Sequence, residues 1–195
     1  MKLPLDCNIG YIEDFLTSQE AHELYNLLID QYHLDQARLI IEAGGQLIKT
    51  DSFKILFLTD ELINQNAYPE HVHGKSYPWS GKMAELRHRV ESYLDKSFEV
   101  AMCLYYPNGN FFAEYHFDQE TSGYKTILPS LSLGEVREFS FKHQTKEEYF
   151  SLDLAHGSLL VMADYCQSRY VHSLIQNPKY KNGRINITFR EPSFQ

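Results

Sequence analysis

The chain has 195 residues, of which 43% are hydrophobic and 23% charged. That is enough for one packed domain and excludes a disordered or collagen-like chain. The formal net charge is -8, which weighs against a surface built to neutralise phosphates.

In chain order, residues 1–15 contain no long apolar stretch of the kind a secretory leader uses. No run approaches the roughly 20 apolar residues of a membrane helix. Cys7, Cys103 and Cys166 are odd in number and widely spaced, which argues for free thiols in a reducing compartment. The expected location is therefore cytoplasmic, or nuclear in a eukaryote, and not secreted.

Thr17-x-x-Glu20 is a capping box, and Ala21, Leu24, Leu27, Leu28 and Tyr32 follow at helical spacing. A helix to about Tyr32 is predicted. His33-Leu34-Asp35 follows it; in helical geometry those side chains diverge by about 200°, so His33 is read as a helix-end residue. Gly44-Gly45 reads as a turn. Residues 64–79 read as a long loop or lid holding His71-Val-His73, a pair expected to face solvent. A second helix is predicted over 80–96, with Met83, Leu86, Val90, Tyr93 and Leu94 inward.

From residue 98 the texture changes. FEVAMCLYY, FFAEYHF, TILPSLSLG, VREFSFKH, EEYFSLDL, GSLLVMA, RYVHSL and RINITFR follow one another between turn signals. Eight short strands predict a sandwich or barrel. With helices to cover one face, the expectation is a mainly β, α+β domain built on a double-stranded β-helix, a jelly-roll or cupin-like barrel. One domain is expected over 1–195, with helical support and lid to about 97 and the β-helix core over about 98–190.

His116-Phe117-Asp118 puts an imidazole and a carboxylate on one face of a strand. In a chain with 9 histidines and 26 acids, chance alone supplies roughly one His-x-acid. His172 lies in a later strand and could be a third ligand or a core histidine. Two histidines and one carboxylate form the facial set of non-haem Fe(II) oxygenases. In 184–190, Ile185, Ile187 and Phe189 alternate with Arg184, Asn186, Thr188 and Arg190. The polar row suits a dicarboxylate, or else a solvated outer face.

Together these residues resemble the AlkB family of Fe(II)- and 2-oxoglutarate-dependent dioxygenases. The resemblance covers about 79–190. It rests on His116-x-Asp118, His172, Arg184-x-Asn186-x-Thr188-Phe189-Arg190, and the strings HFDQE, SLSLGEVREFSFKH and HGSLLVM. It implies that His116, Asp118 and His172 hold Fe(II) and carry the catalysis with O2. It implies 2-oxoglutarate contacts from Tyr106, Arg184, Asn186, Thr188 and Arg190, and substrate contacts from Glu120, Trp79 and Tyr77, with Tyr68 as a further pocket wall. The family's Asn-x-Tyr is Leu104-Tyr105-Tyr106 here, which points to weaker cosubstrate binding or a replacement donor, Tyr105 or Tyr124. The implied activity is oxidative dealkylation of alkylated DNA or RNA by a monomer, releasing formaldehyde, succinate and CO2. The acidic balance leaves open a hydroxylase or demethylase of a protein or small molecule. Leu104 also leaves open a metal-bound binding module without turnover. A basic, aromatic-lined groove, built from some of Lys49, Lys54, Lys75, Lys82, Lys125 and Arg169, would mark the nucleic-acid reading.

Overall fold

The computed structural model describes residues 1–43, 46–118 and 126–191. The eight strands expected after residue 98 are present: β5 (Val100–Tyr106), β6 (Ala113–His116), β7 (Ile127–Gly134), β8 (Arg137–His143), β9 (Tyr149–Leu154), β10 (Ser158–Ala163), β11 (Tyr170–Leu174) and β12 (Arg184–Arg190). The N-terminal half adds strands that the helical reading of 1–97 does not contain. These are β1 (Asn8–Ile12), β2 (Arg38–Ala43), β3 (Gln46–Leu58) and β4 (Lys75–Pro78). The major sheet runs β1-β10-β7-β12-β5-β3-β2, with β4 pairing β3 in parallel. The minor sheet runs β6-β11-β8-β9. The two sheets enclose the jelly-roll interior.

Helix α1 (Ser18–Asp30) starts at the Thr17 capping box, with both reciprocal hydrogen bonds formed. Helix α4 (Gly81–Leu94) buries Met83, Leu86 and Val90. Both helices cover the outer face of the major sheet, against Ile55, Phe57, Ala101, Cys103, Leu131, Leu133, Ile185, Ile187 and Phe189. A second core lies between the sheets and joins Leu128, Leu160 and Met162 to Phe139, Phe141 and Leu174. Fully burying one such aliphatic side chain contributes roughly 1.5–3 kcal/mol, so these two layers fix which face of each strand looks inward.

The segment read as a lid is ordered structure along the sheet edge. Helix α2 (Asp60–Asn64) and helix α3 (Glu70–His73) lead into β4. His71 is exposed, and His73 packs edge-on against Tyr68. His33 sits in the left-handed region (φ 50) ahead of a 3-10 turn at Leu34–Gln36, exposed and outside the metal cluster described below. Gly134, with φ +87, ends β7; a Cβ there would lie 2.3 Å from the Gly183 carbonyl oxygen, so glycine alone fits this corner. Among the described residues no helix is long and apolar enough to cross a membrane.

Candidate metal centre

His116 closes β6, and His172 is its direct cross-strand partner in β11. Their rings meet edge-on with centroids 4.4 Å apart. Asp118 follows two residues after His116. One ligand atom from each of the three residues falls within 4.8 Å of the others. His172 is nearly buried and stacked on Phe139, at 5.4 Å and 24°.

The surroundings prepare each ligand. His116 Nδ1 lies 2.7 Å from the Glu114 carbonyl oxygen. It donates there, which leaves Nε2 with its lone pair for a metal. The Asp118 backbone N–H donates to Gln167 Oε1 at 3.0 Å. Gln167 stands on α5 (Cys166–Arg169), between β10 and β11. Arg190 donates to Asp118 Oδ1, and His172 Nε2 is 3.4 Å from Asp118 Oδ2. Burial pushes the Asp118 carboxyl up, but the His172 hydrogen bond and the Arg190 charge outweigh it and hold the group below its ordinary range. Burial pulls His172 down, against the pull of Asp118. A carboxylate and neutral imidazoles are the forms a divalent metal requires. Two nitrogens and one oxygen, with no fourth protein ligand in the cluster among the described residues, fit an Fe(II) site with open positions.

One cavity of about 60 Å³ joins this triad to Tyr106, Arg184, Asn186, Thr188 and Arg190. The polar face of β12 therefore faces the barrel interior and not solvent: Arg184 is 2% exposed. Its Nη2 donates to Ser132 Oγ at 2.9 Å, while its buried Nε has no hydrogen-bond partner among the described residues. Asn186 Oδ1 accepts from Ser130 Oγ at 2.7 Å, and Asn186 Nδ2 donates to Thr188 Oγ1 at 2.6 Å. Burial draws the Arg184 guanidinium down to about 10, so it remains charged at neutral pH. A buried cation with an unused donor calls for an anion to offset its desolvation. A carboxylate of 2-oxoglutarate fits that requirement.

Several residues in or behind the cavity escape sequence reasoning. Ser130 and Ser132 lie inside the SLSLG string but read as ordinary strand residues. Arg137 is fully buried, donating to the carbonyls of Asn108, Phe111 and Ile175. Its guanidinium lies 5.9 Å from the Tyr106 ring centroid, and that of Arg184 lies 5.7 Å from the same ring. Tyr106 thus lies near two cations, and only a motif comparison could have singled out Arg137.

Some expected contacts fall elsewhere. Trp79 and Tyr77 lie on the helix-covered face of the major sheet, away from the metal cavity. Trp79 stacks on Phe189 at 6.3 Å and 9°, with Nε1 donating to the Glu99 carbonyl. Tyr77 packs against Tyr32 and Phe57. The parallel pairing of β4 sets Tyr77 beside Phe57, and the alternation of strand residues carries Trp79 to the same side. Tyr68 instead joins the cluster of Leu56, Leu58 and Val100 with Met102, a cavity residue. Tyr105 cannot replace the donor missing at Leu104, because it points to the opposite face, edge-on to Phe53. Glu120, Tyr124 and Lys125 lie outside the described residues.

A groove of about 860 Å³, larger than the metal cavity, lies away from the metal. It lies along the β3 edge and is lined by Tyr32, His33, Arg38, Lys54, Lys75 and Tyr77, among others. It begins one strand away from the metal cavity, because Lys54 is the ladder partner of the cavity residue Leu104. Lys82 and Arg169 are ion-paired elsewhere, to Glu23 and Asp6.

These features agree with what the chain is similar to. It is 29% identical over 123 residues to the DNA oxidative demethylase ALKBH2 of Bos taurus, covering 58% of this chain and 44% of that protein. It is 29% identical over 122 residues to the alpha-ketoglutarate-dependent dioxygenase alkB homolog 3 of Homo sapiens, covering 57% and 43%. The chain thus spans less than half the length of these two relatives. The solved structure of OsALKBH1 shares the fold, with a TM-score of 0.59 and 15% identity over 97% of this chain and 100% of that one. The 2OG-Fe(II) oxygenase superfamily model matches residues 8–190, and the chain belongs to that superfamily.

Proposed function

We propose that the chain is an Fe(II)- and 2-oxoglutarate-dependent dioxygenase that removes alkyl groups from nucleic-acid bases. The observation that carries the reading is the single cavity in which the His116–Asp118–His172 cluster faces Arg184 and its unused donor. His116, Asp118 and His172 would hold the metal. Arg184, with Tyr106, would take the distal carboxylate of 2-oxoglutarate, and Arg190, paired with Asp118, would lie near the other carboxylate. When bound, Fe(II), 2-oxoglutarate and O2 supply the oxidation of an N-alkyl carbon, after which that carbon leaves as formaldehyde. The protein's own work is to orient: Gln167 and Arg190 fix Asp118, Glu114 fixes the His116 tautomer, and the Phe139 ring fixes His172. Phe139, Leu128 and Met162 supply the apolar part of the cavity wall and would help to shield the reaction from water.

Two things support nucleic acid as the substrate. The relatives named above include a DNA oxidative demethylase. In a chain of net charge -8, the groove of about 860 Å³ collects Arg38, Lys54 and Lys75 against one acid, Glu70, beside two tyrosines. Cations with aromatic faces suit a strand backbone and unstacked bases. A base in a duplex would have to be flipped out first, at a cost of a few kcal/mol. The overall acidity favours the second reading, a hydroxylase or demethylase of a protein or small molecule.

The test is mass spectrometry of a short single-stranded oligonucleotide carrying one N1-methyladenine or N3-methylcytosine. It is incubated with the protein, Fe(II), ascorbate, 2-oxoglutarate and air, beside a His116→Ala control. Loss of one methylene mass with wild type alone is the expected result. Succinate without that loss would move the substrate to a protein or small molecule. Neither product would leave a binding module.

A further inference from the structure

The metal chemistry does not use Cys7 or Cys166. Cys7 lies just before β1 and Cys166 opens α5, 159 positions away in the chain. The fold nevertheless presses the two segments together. The Asp6 backbone N–H donates to the Tyr170 hydroxyl at 3.0 Å, and Arg169 Nη1 lies 2.9 Å from Asp6 Oδ1. Arg169 also donates to the Asp6 carbonyl. Cys7 packs against the inner core that contains Cys166. The Cys166 thiol beside it holds Cys7 below the ordinary thiol range; burial opposes this and the nearby Arg169 charge assists.

The two thiols differ in access. Cys7 is half-buried, whereas Cys166 is 3% exposed. An accessible thiol beside a shielded one is the arrangement of an attacking and a resolving cysteine. The third cysteine, Cys103, is fully buried on the helix-covered face of the major sheet and serves as an internal control.

We propose that Cys7 and Cys166 form an oxidation site that closes to a reversible disulfide when the protein meets hydrogen peroxide. The Cys7 thiolate attacks the peroxide, its sulfur takes one oxygen, and the departing hydroxide is protonated to water. The Cys166 sulfur then attacks the Cys7 sulfenic acid, the S–S bond forms, and the sulfenic oxygen leaves as a second water carrying the Cys166 proton. Two electrons pass from the sulfur pair to the peroxide. The bridge joins the β1 lead-in to α5, whose Gln167 holds the amide of the metal ligand Asp118. Oxidation at this pair is therefore one residue from the support of the metal centre.

The experiment treats the full chain with hydrogen peroxide in the presence of a chelator, which keeps iron chemistry out. Intact mass and a non-reducing peptide map are then recorded. The expected result is loss of two hydrogen atoms in mass, a linked pair of peptides containing Cys7 and Cys166, and full reversal by dithiothreitol. Cys103 should be alkylated only after denaturation. Cys166→Ser should stop the bridge and leave a sulfenic acid on Cys7 that dimedone traps, while Cys7→Ser should show neither product. A bridge involving Cys103, a bridge between two chains, or Cys7 passing to sulfinic acid with Cys166 still a free thiol in the wild type would overturn the proposal.

Discussion

The two faces of β12 separate stability from chemistry within seven residues. Ile185, Ile187 and Phe189 are fully buried against α1, α4 and neighbouring strands. Arg184, Asn186, Thr188 and Arg190 face the cavity that holds the three metal-ligand residues. The apolar face is dry and close-packed, so its side chains contribute by filling space. The polar face carries charges and donors whose desolvation is offset by partners in the cavity, though among the described residues Arg184 Nε has none. Substitutions on one face should change folding and leave ligand affinity alone, and those on the other should do the reverse.

The sharpest way to break that division is to remove a metal ligand. His116→Ala should abolish turnover and metal binding while the far-UV circular dichroism stays that of wild type. Retained turnover would remove His116 from the metal site. Arg184→Ala comes next. Removing one partner of a buried, hydrogen-bonded charge pair costs roughly 2–5 kcal/mol, so the KM for 2-oxoglutarate should rise by at least about thirtyfold. The KM for the substrate should move far less; an equal rise in both would take the assigned role away from Arg184.

Ile187→Ala tests the other face. Deleting a buried aliphatic side chain should cost about 2–5 kcal/mol in a urea unfolding experiment. The KM for 2-oxoglutarate should stay at the wild-type value. A rise in that KM at full folding would mean that the two faces are coupled through the strand and are not independent.

The two halves of the chain differ in how much of this could be read beforehand. From residue 98 onward the strands alternate between a covered face and a polar or second-core face, and turn residues mark their ends, so period-2 reasoning finds them. In β3 the same reasoning fails for a physical reason. Ile55 and Phe57 face the helices, while Leu56 and Leu58 face the cluster around Leu62 and Val100, so all four are buried and no alternation survives. The other end of β3 is exposed, with Leu47 at 77%. One strand thus carries both patterns and presents neither for its full length. The three residues of the metal cluster and the polar row of β12 that shares their cavity were legible as motifs. Arg137 was not, because a charged residue opening a strand reads as a solvent contact, whereas here it closes a carbonyl cluster behind Tyr106. Trp79 misleads for the complementary reason: an aromatic residue in a segment rich in turn signals suggests a pocket wall, but β4 zips onto β3 and packs it, half-buried, against Phe189, while Tyr77 keeps a place in the wall of the 860 Å³ groove.

The smallest expected effect comes from Leu104, the cavity position where the resemblance to the AlkB family leads one to expect asparagine. Leu104 sits in register between Asn186 on β12 and Lys54 on β3, and its side chain lines the cavity without any donor. The neighbouring Tyr105 faces the other way, so the strand supplies no replacement. Leu104→Asn restores an amide on the cavity face. One hydrogen bond to a charged carboxylate contributes roughly 1.5–3 kcal/mol, but the new amide must also satisfy its second donor and its oxygen in a buried site. A net gain of about 1 kcal/mol is expected, read as a roughly fivefold lower KM for 2-oxoglutarate at unchanged kcat. An unchanged KM would mean that Asn186 and Arg184 already saturate the cosubstrate's acceptors, and that this departure from the motif costs the enzyme nothing. A higher KM would mean that the leucine's own packing shapes the cavity, so that the polar face of this barrel, like the apolar one, works partly by filling space.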